Sequence, residues 1–281
     1  MSAENELQKT IDRLYEMPAD RIDREEASSA WNALRRELNK GTVRAAEPSG
    51  GEWRVNPWVK KGILLAFRIG RAERWPDSGS FPFFDKATMA VKQIGEQDGI
   101  RIVPGGSAVR DGAYLGTGVV MMPPSYVNIG AYVGTDTMID SHALVGSCAQ
   151  IGSRVHLSAA AQIGGVLEPV GSFPVIIEDG VFIGGNCGIY EGTHIRPGAV
   201  IASGVILTGS TPVYDLVRET ILRRDGGRPL TIPEGAVVIA GSRPIGHPFA
   251  TRHGLAAYTP VIVKYRDERT DAATALEESL R

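Results

Sequence analysis

Candidate reactive side chains in this sequence include one arginine, two acids and one histidine. Arg101 carries a guanidinium, whose planar fork of donors matches a carboxylate. Asp140, His142 and Glu191 can each accept a proton, as a general base does. Each also has an ordinary alternative. Arg101 could neutralise an acid, Asp140 and His142 could face solvent, and Glu191 before Gly192 could form a turn. Position alone favours the ordinary role for Arg101 and Asp140. Whether they have a chemical role depends on the elements of the fold that carry them.

A six-residue period runs through the middle of the chain and sets where these side chains lie. The aliphatic or Met residues of this period are Val103, Val109, Leu115, Met121, Val127, Val133, Ile139, Val145, Ile151, Leu157, Ile163, Ile177, Ile183, Ile189, Ile195, Ile201 and Leu207. Neither a helix nor a plain strand has this period, but a hexapeptide repeat does. Three short strands then form one coil of about 18 residues, with an aliphatic side chain per strand on the axis. The sequence therefore predicts a mainly β protein built on a parallel β-helix.

Two excursions interrupt the repeat, at 164–176 and at 211–231. Between Ile163 and Ile177 either two or eight residues are extra, and the sequence leaves both possibilities open. We expect three regions: an N-terminal helical cap (1–100), the β-helix (101–242) and a C-terminal strand and helix cap (243–281). Excursions of this kind lie on the surface of a coil and often form binding loops.

The cap should contain three helices and a hairpin. The first helix ends before Pro18, the second is capped by Asp23 and ends at Gly41, and the third begins with Asn56 as its cap. Segments 42–46 and 52–55 flank a loose turn. Residues 70–100 read as irregular, with 81–85 packed against a neighbour, and 272–280 as a terminal helix.

Composition limits the possible partners. The chain has 30 basic and 32 acidic residues without a basic stripe, which argues against nucleic acid or an anionic membrane. It has no apolar run of about 18 residues, and its first residues lack the apolar core of a signal peptide. The two cysteines, Cys148 and Cys187, indicate neither a disulfide framework nor a thiolate metal site. We expect a protein of the cytoplasm.

Several stretches are more specific than a repeat requires. They are 56–69 (NPWVKKGILLAFRI), 84–86 (FDK), 101–104 (RIVP), 124–133 (PSYVNIGAYV), 145–152 (VGSCAQIG) and 163–169 (IGGVLEP). Together they closely resemble the tetrahydrodipicolinate N-succinyltransferases, left-handed β-helix acyltransferases of lysine and diaminopimelate synthesis. The resemblance covers nearly the whole chain.

The resemblance implies a homotrimer whose active site lies between neighbouring coils. It implies succinyl-CoA as co-substrate and a cyclic or ring-opened dicarboxylate as acceptor, with no tightly bound cofactor, no metal and no covalent intermediate. Matched by motif, the catalytic residues are Asp140 and Glu191, and Arg101, Asp140 and Asn128 bind substrate. The CoA-binding residues stay undefined, although Lys60 and Lys61 could approach its phosphates or form a solvated helix face.

The sequence departs from the family at two places near these residues. Where relatives commonly have Thr-Trp after the Asp, this chain has Ser141-His142, so His142 is a second candidate base. Many relatives have a Glu three residues before the Glu-Gly pair, and here that residue is Gly188. If that earlier Glu is the base in those relatives, Glu191 must take its role here.

Other functions and other reactive groups also have to be considered. The repeat does not encode acyl length, so acetyl-CoA is an alternative donor, and a non-catalytic scaffold is an alternative class. Three histidines around zinc occur in hexapeptide carbonic anhydrases, but His142, His156 and His194 show no close ligand pair. Cys148 has no basic neighbour in the sequence, which favours packing over a nucleophilic role.

Overall fold

A computed structural model describes residues 3–75 and 83–267 of the chain. The N-terminal region has the three predicted helices, α1 (Ala3–Glu16), α2 (Arg24–Lys40) and α3 (Pro57–Ile69), with a short 3₁₀ turn at Ala19–Arg21. None of the helices in the described residues is long and apolar enough to cross a bilayer.

The ends of α2 follow from its sequence. Asp23 accepts hydrogen bonds from the backbone N–H of Glu25 and Glu26, and Gly41 ends the helix in the left-handed conformation with φ of 72°. Helix α3 differs from expectation at its start, because Asn56 makes no capping bond there. Its side chain instead donates to the backbone oxygen of Arg44 at 2.9 Å, which ties α3 to the preceding segment.

Two hairpins accompany these helices, and both differ from expectation. Strands Ala46–Ser49 and Glu52–Val55 include residues that the sequence assigned to the loose turn, so the turn is reduced to Gly50 and Gly51, both with positive φ. The stretch interpreted as irregular contains strands Ala72–Trp75 and Phe83–Lys86 and a 3₁₀ turn at Glu96–Asp98. Phe83 and Phe84 are exposed rather than packed, and residues 81 and 82 lie outside the described part of the chain.

The repeat region folds into three-sided coils, because each short strand pairs in parallel with the strand one coil away. The first face contains Arg101–Ile102, Val120–Met121, Met138–Ile139, His156–Leu157, Phe182–Ile183, Val200–Ile201 and the start of Ala236–Pro244. The second face contains Ala108–Val109, Tyr126–Val127, Leu144–Val145, Gln162–Ile163, Gly188–Ile189 and Ile206–Leu207. The third face contains Tyr114–Leu115, Tyr132–Val133, Gln150–Ile151, Ile176–Ile177, His194–Ile195 and Thr231–Ile232.

The second residue of nearly every coil strand points to the axis and is buried, which confirms the six-residue period as the core pattern. The first coil is an exception. Ile102, not Val103, pairs in register with Met121, so this coil has 19 residues. Ile102 is exposed, and the buried column begins at Val109.

The pairing also resolves the first excursion. Ile163 on the second face pairs with Ile189, 26 residues later, whereas an uninterrupted coil would need 18. Eight residues are therefore extra, because only that number keeps Ile177 on the third face beside Ile151. The second excursion, between Leu207 and Ile232, contains a small antiparallel pair, Val213–Asp215 with Thr220–Leu222.

The C-terminal region closes the end of the coil. Strand Ala236–Pro244 continues the first face and pairs in antiparallel fashion with Ala256–Tyr265, after the short helix Pro248–Arg252. The second strand confirms the strand predicted within the C-terminal cap, and strand Val213–Asp215 extends the same sheet. The paired strands cover an edge that would otherwise stay open to other chains. The helix predicted at 272–280 lies outside the described residues.

The N-terminal region packs on the third face and on the corner that precedes it. Ile129 and Cys148 project from that corner into a second apolar cluster with Trp31, Ile63 and other cap residues. Burial raises the pKa of the Cys148 thiol to about 12, which disfavours the thiolate needed for nucleophilic attack. Cys148 is therefore a packing residue.

Candidate active site

The two excursions and one corner of the coil enclose a cleft of about 790 Å³. We call the corner between the first and second faces the first corner, and that between the second and third faces the second corner. The cleft lies at the second corner. Its lining residues are Gly164, Gly165, Val166, Glu168, Pro169, Gly171, Ser172, Phe173, Tyr190, Glu191, Arg224, Gly227 and Pro229.

Glu191 is the predicted site residue that lines this cleft. It follows the strand Gly188–Ile189 and turns the second corner with φ of 53°, a conformation unusual for a residue with a side chain. Its Oε2 accepts a hydrogen bond from the backbone N–H of Gly209, one coil further on, at 2.9 Å. The other carboxylate oxygen is left for a ligand or solvent, because Glu191 is exposed.

Tyr190 lies flat against the coil beside Glu191. A Cβ on Gly188 would lie 2.4 Å from Cε2 of Tyr190, and a Cβ on Gly164 would lie 2.9 Å from Cδ1 of the same ring. The ring can rest on the surface only because both positions are glycine. Sequence analysis did not predict a role for Tyr190, although an aromatic residue two positions after Gly188 and next to Glu191 was a signal that could have indicated one.

A buried lysine holds the first wall of the cleft. The ammonium of Lys60, in α3, donates to the backbone oxygen of Ser172 in the first excursion at 2.6 Å, and the residue is fully buried. Burial lowers the pKa of Lys60. Lys61 instead pairs with Asp12 and Glu16 on the surface of the cap. A solvated helix face, one of the two alternatives considered for these lysines, is thus wrong for Lys60, because its side chain spans from the cap to the excursion.

The second wall is anchored by a buried carboxylate. Asp215 accepts a hydrogen bond from the Tyr265 hydroxyl at 2.6 Å and others from the backbone N–H groups of Val217 and Arg218. Burial raises the pKa of Asp215, but these hydrogen bonds outweigh it and the pKa lies below its usual value. This contact joins the second excursion, which carries Arg224, to the C-terminal strand.

The other predicted site residues lie elsewhere in the same chain. Asp140 follows Ile139 at the first corner, two coils before Glu191, and its Oδ1 accepts from the backbone N–H of Ser141 at 2.6 Å. Exposed His142 shares this corner, with φ of 63°. Asn128 is at the second corner, three coils before Tyr190, and its Oδ1 accepts from the N–H of Ile129. Asp140 and Glu191 therefore lie on opposite edges of the second face, Asp140 at the corner before its strands and Glu191 at the corner after them.

Arg101 begins the first face and is exposed, in register with Val120. Within the described part of the chain its guanidinium forms no ion pair, so the structure gives no support to a role in neutralising a described acid of the cap. Its strand is the first of the first face, at the start of the coil. Several coils separate it from Glu191.

A smaller pocket, of about 420 Å³, lies between the N-terminal hairpin and the third face. Glu178 accepts hydrogen bonds at 2.7 Å from Trp53 Nε1 and at the same distance pairs with His194 Nε2. The guanidinium of Arg44 stacks 3.6 Å from the centre of the Tyr132 ring and donates to buried Gln150. His194 is thus hydrogen-bonded in the wall of the coil.

Comparison with known proteins identifies the family. The protein-family model described as "Tetrahydrodipicolinate N-succinyltransferase N-terminal" matches residues 6–69. The family model described as "Hexapeptide repeat of succinyl-transferase" matches residues 174–209. A protein of Azoarcus sp. (strain BH72) named 2,3,4,5-tetrahydropyridine-2,6-dicarboxylate N-succinyltransferase is 44% identical over 283 residues, which cover 98% of each chain. The chain belongs to the tetrahydrodipicolinate N-succinyltransferase family.

Other relatives in this family extend the same finding. Proteins with the same name from Herminiimonas arsenicoxydans and Polynucleobacter asymbioticus are 41% and 45% identical. The first alignment covers 98% of both chains, and the second covers 90% of this chain and 89% of the relative. A crystal structure from Campylobacter jejuni, described as a 2,3,4,5-tetrahydropyridine-2-carboxylate N-succinyltransferase, shares the fold with a TM-score of 0.50 and 18% identity. That match covers 88% of this chain and 64% of the other.

Proposed function

We propose that this protein transfers the succinyl group of succinyl-CoA to the amino group of ring-opened 2,3,4,5-tetrahydropyridine-2,6-dicarboxylate, in diaminopimelate and lysine synthesis. The observation that carries the proposal is the position of Glu191 in the cleft of a chain that is 44% identical, over 98% of its length, to a protein so named. The reaction is acyl transfer to an amine without a covalent enzyme intermediate.

The chemistry follows from what a thioester and an amine require. The amine must lose a proton before its nitrogen attacks the thioester carbonyl, and Glu191 has a carboxylate oxygen available to accept that proton. The new C–N bond forms as the C–S bond breaks, and the proton leaves with the CoA thiol. Backbone N–H groups at the corner are suitable donors for the oxyanion that develops. Asp140 would hold the substrate ammonium or share the role of base.

Substrate carboxylates need fixed cations and donors. We assign Arg101 to one carboxylate because its guanidinium is exposed and has no ion-pair partner among the described residues. Asn128 would donate through its amide NH₂, since its amide oxygen already accepts from the backbone. Succinyl-CoA is a co-substrate in this proposal, with no tightly bound cofactor and no metal.

The separation of these residues supports a composite site. Asp140 and Glu191 lie at different corners and two coils apart, so one chain alone does not bring them together. A homotrimer that sets the first corner of one protomer against the second corner of the next would do so. We also propose a left-handed coil, cap boundaries near 100 and 242, and a cytoplasmic enzyme, since CoA thioesters are made and used inside the cell.

Measurement of thiol release tests the proposal directly. Succinyl-CoA and acetyl-CoA are each supplied with the dicarboxylate acceptor, and we expect turnover with succinyl-CoA to be faster. Faster turnover with acetyl-CoA would replace the donor and make the protein an N-acetyltransferase. Absence of both turnover and equilibrium CoA binding would leave a scaffold as the remaining function.

A further inference from the structure

We propose that Tyr190 and Arg224 form a carboxylate-binding subsite in the cleft, with the Tyr190 hydroxyl as a hydrogen-bond donor and the Arg224 guanidinium as the counter-charge. This inference rests on the proposed function, because it concerns a ligand bound beside Glu191. It adds two residues of this chain that neither the family motifs nor the sequence pattern indicated.

The position of the Tyr190 hydroxyl is the first support. The ring is held against the coil by contact with Gly188 and Gly164, and Oη lies 2.9 Å from where a Cβ of Gly188 would be. Within residues 3–75 and 83–267 the hydroxyl makes no hydrogen bond to the protein. A phenol that is fixed by its ring and has an unused donor is suited to hold a ligand oxygen.

The charge of the cleft is the second support. Arg224 lines it from the second excursion, and among the described residues its guanidinium has no acidic partner. The acids that line the cleft are Glu168 and Glu191. Neither forms an ion pair with Arg224 in the described part of the chain, so its guanidinium remains available for an anion from outside the chain.

The ligand that fits is a carboxylate group bound next to the reacting amine. The amine would face Glu191, and the carboxylate would face Tyr190 and Arg224. The guanidinium supplies a planar fork that matches a carboxylate, and the phenol adds a third donor. The carboxylate could come from the acceptor or from the free end of the succinyl group, since the two substrates share this chemistry. Acetyl-CoA lacks that group, so a comparison of donors separates the two sources.

The test uses the variants Tyr190→Phe and Arg224→Gln, with Arg223→Gln as the matched control. Phe keeps the ring and removes only the hydroxyl, and Arg223 is the adjacent exposed arginine that does not line the cleft. Because hydrogen bonds to charged groups are the stronger ones, we expect each test variant to raise one substrate KM about tenfold, while Arg223→Gln leaves it unchanged. Circular dichroism and Tm verify that all three variants fold.

Comparison of the two acyl donors, succinyl-CoA and acetyl-CoA, identifies which carboxylate is bound. A rise in acceptor KM that is equal with succinyl-CoA and acetyl-CoA assigns the subsite to the acceptor. A rise in the KM of succinyl-CoA alone assigns it to the succinyl end. Unchanged KM values in both test variants overturn the subsite and leave the proposed function standing.

A direct binding measurement covers the case in which the wild-type protein has no turnover, which would count against the proposed function. Calorimetric titration then uses pimelate, whose seven-carbon diacid chain matches the ring-opened acceptor, and succinate, which matches the donor end. Weaker binding to Tyr190→Phe and Arg224→Gln than to wild type and Arg223→Gln supports the subsite. Equal binding to all four proteins, or no binding to wild type, refutes it.

Discussion

The ring of Tyr190 occupies the space that a side chain at residue 188 would need. A Cβ built on Gly188 would lie 2.4 Å from Cε2 and 2.9 Å from both Cζ and Oη of that ring. The two positions are therefore coupled: a glycine at 188 allows the ring to lie on the coil, and the ring in turn forms part of the cleft. In this chain the glycine at 188 is covered by a phenol.

Substitution of Gly188 by alanine should therefore move Tyr190. The added methyl group and the ring cannot share the same volume, so the ring must rotate away from the coil surface. If the subsite is real, we expect acceptor or donor KM to rise about as much as in Tyr190→Phe, roughly tenfold. Gly246→Ala is a suitable control, because an added Cβ there meets no atom within 4 Å and its φ is not positive. Equal kinetics in the two variants would argue against the coupling.

Loss of the carboxylate at position 140 or 191 should reduce turnover without changing assembly. We expect Asp140→Asn and Glu191→Gln each to lower kcat by about 100-fold or more, since each removes a proton acceptor or an ammonium ligand while keeping side-chain shape. Glu234→Gln, at an exposed position outside the cleft, serves as control. Wild-type rates in both site variants would exclude these residues from the chemistry.

Mixing these two inactive variants tests whether the site is shared between protomers. If Asp140 of one protomer serves Glu191 of the next, an equal mixture refolded together should recover up to about a quarter of wild-type activity, because some interfaces then contain both carboxylates. Activity is compared with that of each variant refolded alone. A site contained in one chain would instead show no recovery at any mixing ratio.

Removal of the Lys60 ammonium should disturb the wall of the cleft more than the fold. Lys60→Met keeps a long unbranched side chain but loses the hydrogen bond to the Ser172 backbone oxygen, so the first excursion is no longer tied to α3. We expect KM to rise about three- to tenfold, with little change in Tm, because removing a buried charge offsets part of the lost bond. Lys61→Met, which affects ion pairs and a cation–π contact with Tyr15 on the surface of the cap, should behave as wild type. A KM equal to that of the control would mean that other contacts hold the excursion.

The N-terminal hairpin should separate from the coil as pH falls. Burial raises the pKa of Glu178, but hydrogen bonds from His194 and Trp53 outweigh it and leave the pKa below its usual value. Because the folded-state pKa is lowered, the stabilisation is present above the unfolded value of about 4.3 and is lost as pH falls through the folded value.

We therefore expect Glu178→Gln to lower Tm by about 2–4 °C near pH 7, the shift that corresponds to roughly 1 kcal/mol in a chain of this size. The difference from wild type should shrink towards pH 3. Tm is measured from pH 7 to pH 3, and Asp179→Asn, on the adjacent exposed residue, is the control. A Tm difference that stays constant across this pH range would contradict the assignment.

Local rules were sufficient for much of this fold. The capping of α2 by Asp23, its end at Gly41 and the column of aliphatic residues from Val109 to Leu207 depend on nearest neighbours and on one fixed period. The same rules failed at Val103 and at Asn56. At Val103 an extra residue in the first coil shifted the register. At Asn56 a hydrogen bond to the backbone of Arg44, 12 residues earlier, replaced the cap.

The candidate site was only partly predictable, for a similar reason. Motif matching indicated Asp140, Glu191, Arg101 and Asn128, but it carried no information on which corner of the coil each would occupy. Lys60 was unexpected because a lysine in a helix normally faces solvent, and its partner, Ser172, is 112 residues away.

The sequence by itself determined the three-sided coil, because aliphatic residues that recur at every sixth position can be buried together in few other ways. It also determined the family, through motifs spread along the chain. Only the tertiary structure decided that eight residues are extra in the first excursion, that Tyr190 lies over Gly188, and that Arg224 reaches the same cleft. Those relationships depend on strand register and on loops that meet across tens of residues. Such distances are set by packing of the whole coil, and no local pattern in the sequence encodes them.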